Sequence, residues 1–436
     1  MRDLSSSSHG APIGAAHHEG VLLSDPTLPA ATHLFGERAR HLVGAGVTQL
    51  GGTLRDLRLV QVAYRPEREL VGRYAATIAW GAADPVTETL LAGTTADGPP
   101  PGTLPLVADD LAVGLWRWPF DPALPGLDTA VTPSRAATLV GAFVGGVPAL
   151  QVRAYRPTRR AVVRATGPHG EVYLKVVRPT SLDAVVARHT MLAGTVLART
   201  VGVPELLAVD ADAGILVMRA LPGETLRSRL LDGDARAADP TALIEVLDAL
   251  AGAPAPSGLG RATSPRATAA GHAALIERVL PDVEGRLLAV LDLLGSAPDA
   301  GTTLVHGDLH DGQLTVADGS ISGILDLDGV GLGHRVDDIG NLLAHLSTLA
   351  LGAPRARPTI DATVERIWSE AAPSLGCDEL ARAAAAATVG LATGPFTAQQ
   401  ARWPVATRRR LALAARWLRR AETDARRHER DLTVGS

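Results

Sequence analysis

The sequence predicts an α+β protein in which a β-rich lobe is followed by a helical lobe. β-branched, alternating runs mark residues 154–218, and apolar residues recur at helical spacing beyond Gly223. The two kinds of segment follow one another instead of interleaving as βαβ units, which is the α+β order. With 436 residues, 46% of them hydrophobic, the chain can build two or three structural units with sizeable cores.

Residues 21–145 alternate short apolar stretches with Pro/Gly breaks at 97–102 and 121–126, and read as a compact but irregular domain. An internal echo links this region to the next. Ala63-Tyr64-Arg65-Pro66 and Ala154-Tyr155-Arg156-Pro157 begin two similar stretches offset by 91 residues. Both duplication of a strand, turn and strand and local convergence on a common hairpin account for so short a match. Residues 162–166 and 172–177 then read as strands around Gly167-Pro168-His169-Gly170. Alternation places Val172, Leu174 and Val176 on one face and Tyr173, Lys175 and Val177 on the other. A helix over 182–200 and strands over 204–209 and 215–218 complete an antiparallel sheet.

Helical spacing takes over after Gly223. Asp239-Pro240 starts a helix carrying Leu243, Leu247 and Leu250, which Gly252 ends. Leu287, Leu291 and Leu294 repeat the pattern, as do residues 360–371, 377–389 and 407–427. Residues 402–430 hold ten arginines and three acids, read as the solvated face of a helix packed through Leu411, Ala414, Leu418 and Ala425. Trp403 reads as a core or rim tryptophan, with a stacking platform for a sugar ring as the alternative. A β-rich lobe followed by a helical lobe leaves a cleft between them as the natural ligand site.

Composition removes several functions. Lys175 is the only lysine and follows Leu174, so the Gly-Lys-Ser/Thr of a P-loop is absent. A net charge of -4 lacks the basic footprint of a nucleic-acid binder, and no nucleic-acid partner is expected. The single cysteine, Cys377, excludes an internal disulfide and a thiolate metal cluster; the cytoplasm is the expected compartment. The uncharged runs 136–152 and 383–401 are too short or too interrupted to span a membrane, so no membrane association is expected. Residues 1–20 are rich in Ser, His, Gly and Ala, lack an apolar segment, and read as a disordered tail.

The densest polar cluster is His306-Gly307-Asp308-Leu309-His310-Asp311-Gly312-Gln313, followed by Leu325-Asp326-Leu327-Asp328. Asp318-Gly319 is the two-residue turn of a tight hairpin between residues 314–316 and 321–325. Pairing Ala317 with Ser320 sets Gln313 opposite Ile324, and Asp326 then shares a face with Gln313. Two oxygen ligands without sulfur suit Mg²⁺, which takes few protein ligands and fills its shell with water and phosphate oxygens. Asp308, in the loop entering the hairpin, can face an acceptor hydroxyl. With Lys175 as the cation, this is an arrangement for phosphoryl transfer. Asp328 reads as a solvated or neighbouring carboxylate.

His-Gly-Asp-Leu-His-x-x-Gln followed by Leu-Asp-Leu-Asp resembles the catalytic and metal-binding segments of aminoglycoside phosphotransferase-like kinases. The resemblance implies a protein-kinase-like bilobal fold with a β-rich N-lobe (146–222), a helical C-lobe (223–430) and an additional N-terminal cap domain (21–145). It implies Asp308 as catalytic base or hydroxyl-orienting group, Gln313 and Asp326 as metal ligands, and Lys175 on the α and β phosphates. His306 would brace the loop, Asp338 would be the structural aspartate, and the backbone of Arg219 and Leu221 would form the adenine hinge. Gln in place of the usual Asn at 313 is similar to the maltokinase and glucosamine-kinase branch of actinobacteria, which also carries an N-terminal cap. The implied activity is ATP- or GTP-dependent, Mg²⁺-assisted phosphorylation of a small hydroxyl acceptor such as a sugar, amino sugar or aminoglycoside. No glutamate lies between Val176 and Thr200 to pair with the lysine, so His189 or Asp183 replaces it or the pairing is absent. A metallophosphoesterase would need a Gly-Asn-His segment, and the only asparagine, Asn341, precedes Leu342. The remaining rival is a catalytically weak, kinase-like nucleotide-binding module.

Overall fold

The computed structural model describes residues 25–109, 111–296 and 301–434, so the expected tail at residues 1–20 lies outside the described residues. The first unit begins with α1 (Gly36–Gln49) and continues as β1 (Gly52–Arg65), β2 (Glu69–Trp80), β3 (Val86–Thr95), β4 (Leu104–Ala108) and β5 (Leu111–Arg117). These strands form one antiparallel sheet in the order β1-β2-β3-β5-β4. The expectation of an irregular domain is therefore corrected. Both faces are covered across the middle of β2 and β3, which removes the polar/apolar alternation of a half-exposed strand there, whereas β1 and β4 keep exposed positions. Leu70, Tyr74 and Leu90 pack in one core with Ala39, Leu42 and Val43 of α1. Val71, Leu91 and Trp116 join the core of the next unit.

That second unit has α2 (Leu127–Val131), α3 (Pro133–Val144), β6 (Ala149–Arg156), β7 (Arg160–Gly167) and β8 (Gly170–Val177). It is completed by α4 (Pro179–Ala193), α5 (Val196–Thr200), β9 (Leu206–Asp210) and β10 (Ile215–Arg219). Its sheet order is β6-β7-β8-β10-β9. Helices α2 and α3, expected in the first domain, pack on this second sheet, with Val140 and Val144 against Val163 and Leu174. As alternation requires, Val172, Leu174 and Val176 face that core, while Val177 packs with Leu182 and Val185 of α4 on the other face. The expected helix over 182–200 is interrupted at Gly194-Thr195, where the Thr195 hydroxyl donates to Leu192 O at 2.7 Å.

The helical lobe opens with β11 (Glu224–Thr225), α6 (Leu226–Leu231), α7 (Pro240–Ala251), α8 (Pro265–Val279) and α9 (Glu284–Leu294). Asp239 caps α7 by accepting from Thr241 N at 3.1 Å. Short strands β12 (Thr303–Val305), β13 (Leu314–Ala317), β14 (Ser320–Ile324) and β15 (Gly331–Gly333) carry the catalytic-type segments. The lobe ends with α10 (Arg335–Gly352), α11 (Arg357–Leu375), α12 (Cys377–Leu391), α13 (Gly394–Thr397) and α14 (Trp403–Val434). Ala381 and Ala383 to Ala387 make α12 a slim central helix; a Cβ on Gly340 of α10 would lie only 2.6 Å from the Ala383 Cβ. Leu411, Ala414 and Leu418 bury the inner face of α14, and the Ala425 side chain lies outside the described ones. Trp403 is buried with its ring edge-on to Phe396, a core position. The first unit touches this lobe as well, through Phe35 stacked on Phe396. Among the described residues no helix is long and apolar enough to cross a membrane.

Candidate active site

The catalytic-type loop is held rigidly from below. Asp338, buried in the first turn of α10, accepts from His306 N at 2.6 Å and Gly307 N at 2.8 Å. Gly307 has φ +78°, and a Cβ there would sit 2.3 Å from Gly329 O, so only glycine fits this crossing. The His306 ring Nδ1 accepts from Asp308 N at 3.3 Å, which leaves Nε2 as the donor to Leu325 O at 2.8 Å. One buried imidazole thus ties the loop bearing Asp308 to the segment bearing Asp326. Asn341 donates to Leu309 O at 2.9 Å and closes the loop from the same helix.

Gln313 and Asp326 meet, though not by the expected register. The turn at Asp318-Gly319 has positive φ at both residues and Ala317 pairs with Ser320. A one-residue bulge at Ser322 then shifts the ladder, so Leu314, and not Gln313, pairs with Ile324. Asp326 leaves the strand with φ +55°, a bend that returns its carboxylate to Gln313: Gln313 Nε2 donates to Asp326 Oδ2 at 3.2 Å.

The expected partner of Lys175 is also corrected. His189 turns its Nδ1 to Pro204 O at 3.1 Å, and Asp183 is exposed on α4. The metal-type segment itself holds the lysine. Lys175 Nζ, on a side chain only 3% exposed, lies 2.7 Å from Asp326 Oδ1 and 2.7 Å from Asp328 Oδ1. Arg160, the first residue of β7, approaches the same two groups. Its guanidinium is 2.9 Å from Asp326 Oδ2 and 3.4 Å from Asp328 Oδ2. Two cations therefore face two anions across the cleft, and Asp328 is a full member of the cluster. Motif spacing does not reveal Arg160; comparing it with Glu69 in the internal echo does, because the charge reverses there.

Electrostatics separate the two aspartates on either side of the cleft. Burial pushes the Asp308 carboxyl above the usual range, and the negative charge of Asp326 adds to that, against Arg156 and Arg160. Burial acts on Asp326 in the same sense but is outweighed by Lys175 and Arg160, which hold it well below the usual carboxylate range. The former binds a proton more readily than a free carboxylate, and the latter is kept ionised.

Two features flank this centre. Arg227 of α6 grips the buried Asp311 with two guanidinium bonds at 2.6 and 3.2 Å, tying the segment after the hinge to the loop. His310 and His345 stack with centroids 4.4 Å apart; burial pushes them down to about 3 and about 4, so both stay neutral. Beside Gly307 a cavity of about 290 Å³ has a mostly apolar lining, with Val305 and Leu332 alongside Arg261, Ser264 and Asp337. At the expected hinge, Arg219 N donates to Glu205 O at 2.9 Å, whereas Leu221 makes no backbone hydrogen bond among the described residues.

Residues 158–374 match the profile of the phosphotransferase enzyme family. This stretch, just under half of the chain, is similar to that family. That match takes in Arg160, Lys175, Asp308, Gln313 and Asp326 together. No curated protein matches the sequence. Solved structures similar to this chain include a thermostable mutant of aminoglycoside phosphotransferase APH(4)-Ia in a ternary complex with ADP and hygromycin B, at 16% identity, 64% of this chain, 97% of the other and a TM-score of 0.45. The GDP complex of aminoglycoside 2'-phosphotransferase-IIIa gives 14% identity, 65% and 98% coverage and a TM-score of 0.45. A choline/ethanolamine kinase family protein from Mesorhizobium loti gives 14% identity, 67% and 92% coverage and a TM-score of 0.43. The reading below rests on the family match and the geometry of the cleft.

Proposed function

We propose that the protein is an ATP- and Mg²⁺-dependent kinase that phosphorylates a hydroxyl of a small molecule, a sugar, amino sugar or aminoglycoside, with GTP as the alternative donor. The observation that carries this reading is the meeting of Lys175 from the N-lobe with Asp326 of the C-lobe, on a segment tied through His306 to the loop of Asp308. Gln313 and Asp326 lie side by side, and with the Gln313 amide turned to present Oε1 in place of Nε2 they would offer two oxygen ligands, a set suited to Mg²⁺. When bound there, the ion would neutralise charge on the donor phosphates. Lys175 would do the same from the opposite wall.

Asp308 is the group that handles the proton. As the acceptor oxygen bonds to the γ-phosphorus and the bond to the β-phosphate oxygen breaks, the hydroxyl proton passes to the Asp308 carboxylate. A raised pKa makes it a better acceptor. His306 and Asp338 are positioning residues, because they touch the loop backbone and not the reacting atoms. Gln313 and the additional N-terminal unit support the maltokinase and glucosamine-kinase branch. The test is nucleotide consumption by the purified protein with amino sugars, maltose, glucose and aminoglycosides. Acceptor-dependent release of ADP is expected; tight nucleotide binding with no turnover on any acceptor class would favour the kinase-like binding module instead.

A further inference from the structure

The two β-rich units are copies of one another, and the comparison between them isolates what is specific to the second. Both sheets share one strand order, first-second-third-fifth-fourth. Each unit opens on the same phrase, Asp25-Pro26-Thr27-Leu28-Pro29 and Asp121-Pro122-Ala123-Leu124-Pro125. Each of these aspartates does the same work. Asp25 accepts from Tyr64 OH at 2.8 Å and Glu67 N at 2.9 Å, and Asp121 accepts from Tyr155 OH at 2.7 Å and Thr158 N at 2.9 Å. The residue after each Arg-Pro, Glu67 or Thr158, has positive φ, 64° and 59°. A shared phrase, a shared brace and a shared backbone strain at equivalent positions decide between duplication and convergence in favour of duplication.

What the copies share is scaffold; what they do not share is charge. Lys175 pairs with Val162 in its sheet, and the corresponding partner of Val71 in the first sheet is Gly93. A Cβ at Gly93 would lie 2.9 Å from Val71 Cγ2 and 3.1 Å from Leu70 O, so that site has no room for a side chain. Arg160 pairs with Val177, and the corresponding partner of Thr95 is Glu69. The first copy has therefore lost the lysine and reversed the charge of the arginine while keeping its tyrosine, proline and aspartate. The two cations that face Asp326 and Asp328, Lys175 and Arg160, thus have no counterpart in the first copy.

We propose that Arg160 is a phosphate-binding residue of the nucleotide site, and that without nucleotide it occupies the Asp326 carboxylate that a divalent ion would otherwise take. The inference rests on the kinase reading above. Arg160 sits at the tip of the β6–β7 hairpin, next to Lys175 on the same wall of the cleft, and its fork already spans two carboxylates. Planar guanidinium suits a phosphate as well as it suits a carboxylate. Metal-nucleotide would thus enter by exchange: Asp326 is released by Arg160, and Arg160 moves to phosphate oxygens.

Exchange predicts opposite effects on two ligands, which a merely structural role would not. In Arg160→Ala, binding of a non-hydrolysable ATP analogue should weaken about tenfold or more, as expected for a lost charge-assisted contact, with adenosine binding unchanged. Binding of Mn²⁺ alone, read by electron paramagnetic resonance, should tighten because a competitor of the ion is gone. Arg160→Gln, which keeps the stem and a polar tip, should show both changes in smaller degree and provides the same reading if the alanine variant folds poorly. An unchanged analogue affinity in a folded variant, or unchanged or weaker Mn²⁺ binding, would overturn the proposal. Failure of the parent protein to bind the analogue at all would instead overturn the kinase reading, and this inference with it.

Discussion

Asp308 and Asp326 carry the same side chain and are driven in opposite directions by their surroundings. Lys175 is the residue on which that split depends most directly. Replacing it by methionine leaves Asp326 and Asp328 facing each other with Arg160 alone, and loss of one partner from a largely buried cluster costs about 3 kcal/mol. The sign with pH follows from the depressed pKa of Asp326. Its pairing stabilises the folded chain above the ordinary carboxylate range, and that contribution is lost as pH falls towards the depressed value. Urea denaturation should therefore show Lys175→Met less stable than the parent at neutral pH, with the gap narrowing in acid. A gap independent of pH would argue against the ion-pair account. The lysine was legible in the sequence because it is unique and lies on a strand face. Its partners were not, because a missing helix glutamate says nothing about which acid replaces it.

At the scale of elements, the hairpin β6–β7 and the hairpin β13–β14 set the two walls of the cleft. The first is braced by Asp121, which is 3% exposed and accepts from Tyr155 OH and Thr158 N while Asp121 Oδ1 accepts from Ala123 N at 2.9 Å. Asp121→Asn exchanges an acceptor oxygen for a donor facing other donors, a cost of about 1–3 kcal/mol for an unmet buried group. Because the brace holds the turn next to Arg160, nucleotide affinity should fall along with thermal stability, whereas the fold by circular dichroism should not change. A variant with lower stability and unaltered nucleotide affinity would separate the brace from the site. The second hairpin shows where pattern reading stops. Its turn follows from Asp-Gly, but a bulge at Ser322 depends on which backbone groups the neighbouring Gly202 and Pro222 engage: Gly202 N donates to Ser322 O at 2.8 Å and the Ser322 hydroxyl donates to Pro222 O at 2.9 Å. Those contacts are distant in sequence and invisible to local alternation.

In the whole molecule the first unit bridges both lobes, buried against the N-lobe sheet on one face and against α1 and the C-lobe on the other. Its own Arg-Pro turn is fastened to α8 by Arg278, 3.0 Å from Asp25, 3.2 Å from Tyr64 OH and 3.1 Å from Glu67. Arg278→Ala should cost about 2 kcal/mol, since Asp25 keeps its hydrogen bonds but loses its counter-charge, and it should loosen this unit from the helical lobe. Limited proteolysis that cuts the parent and the variant at equal rates would contradict a bridging role. This architecture was only half legible. The order of β-rich and helical lobes followed from periodicity, and the catalytic segment from its residues, but β2 and β3, buried on both faces at their middle, lack the alternation that would have announced the first sheet. The duplication was visible as an echo, and the distant Asp-Pro-x-Leu-Pro phrase that decides it acquires meaning only once each aspartate is seen under its turn.

The central claim is that Asp308 takes the proton in a phosphoryl transfer carried out between these lobes. It is tested most directly by steady-state turnover and nucleotide binding of Asp308→Asn beside the parent, on whichever acceptor the parent phosphorylates. Turnover should fall by about 10²–10⁴-fold, the range for loss of a positioned base, with nucleotide affinity retained and stability at neutral pH not reduced, because a carboxylate whose pKa burial has raised is replaced by a neutral amide. Turnover equal to that of the parent would contradict the account.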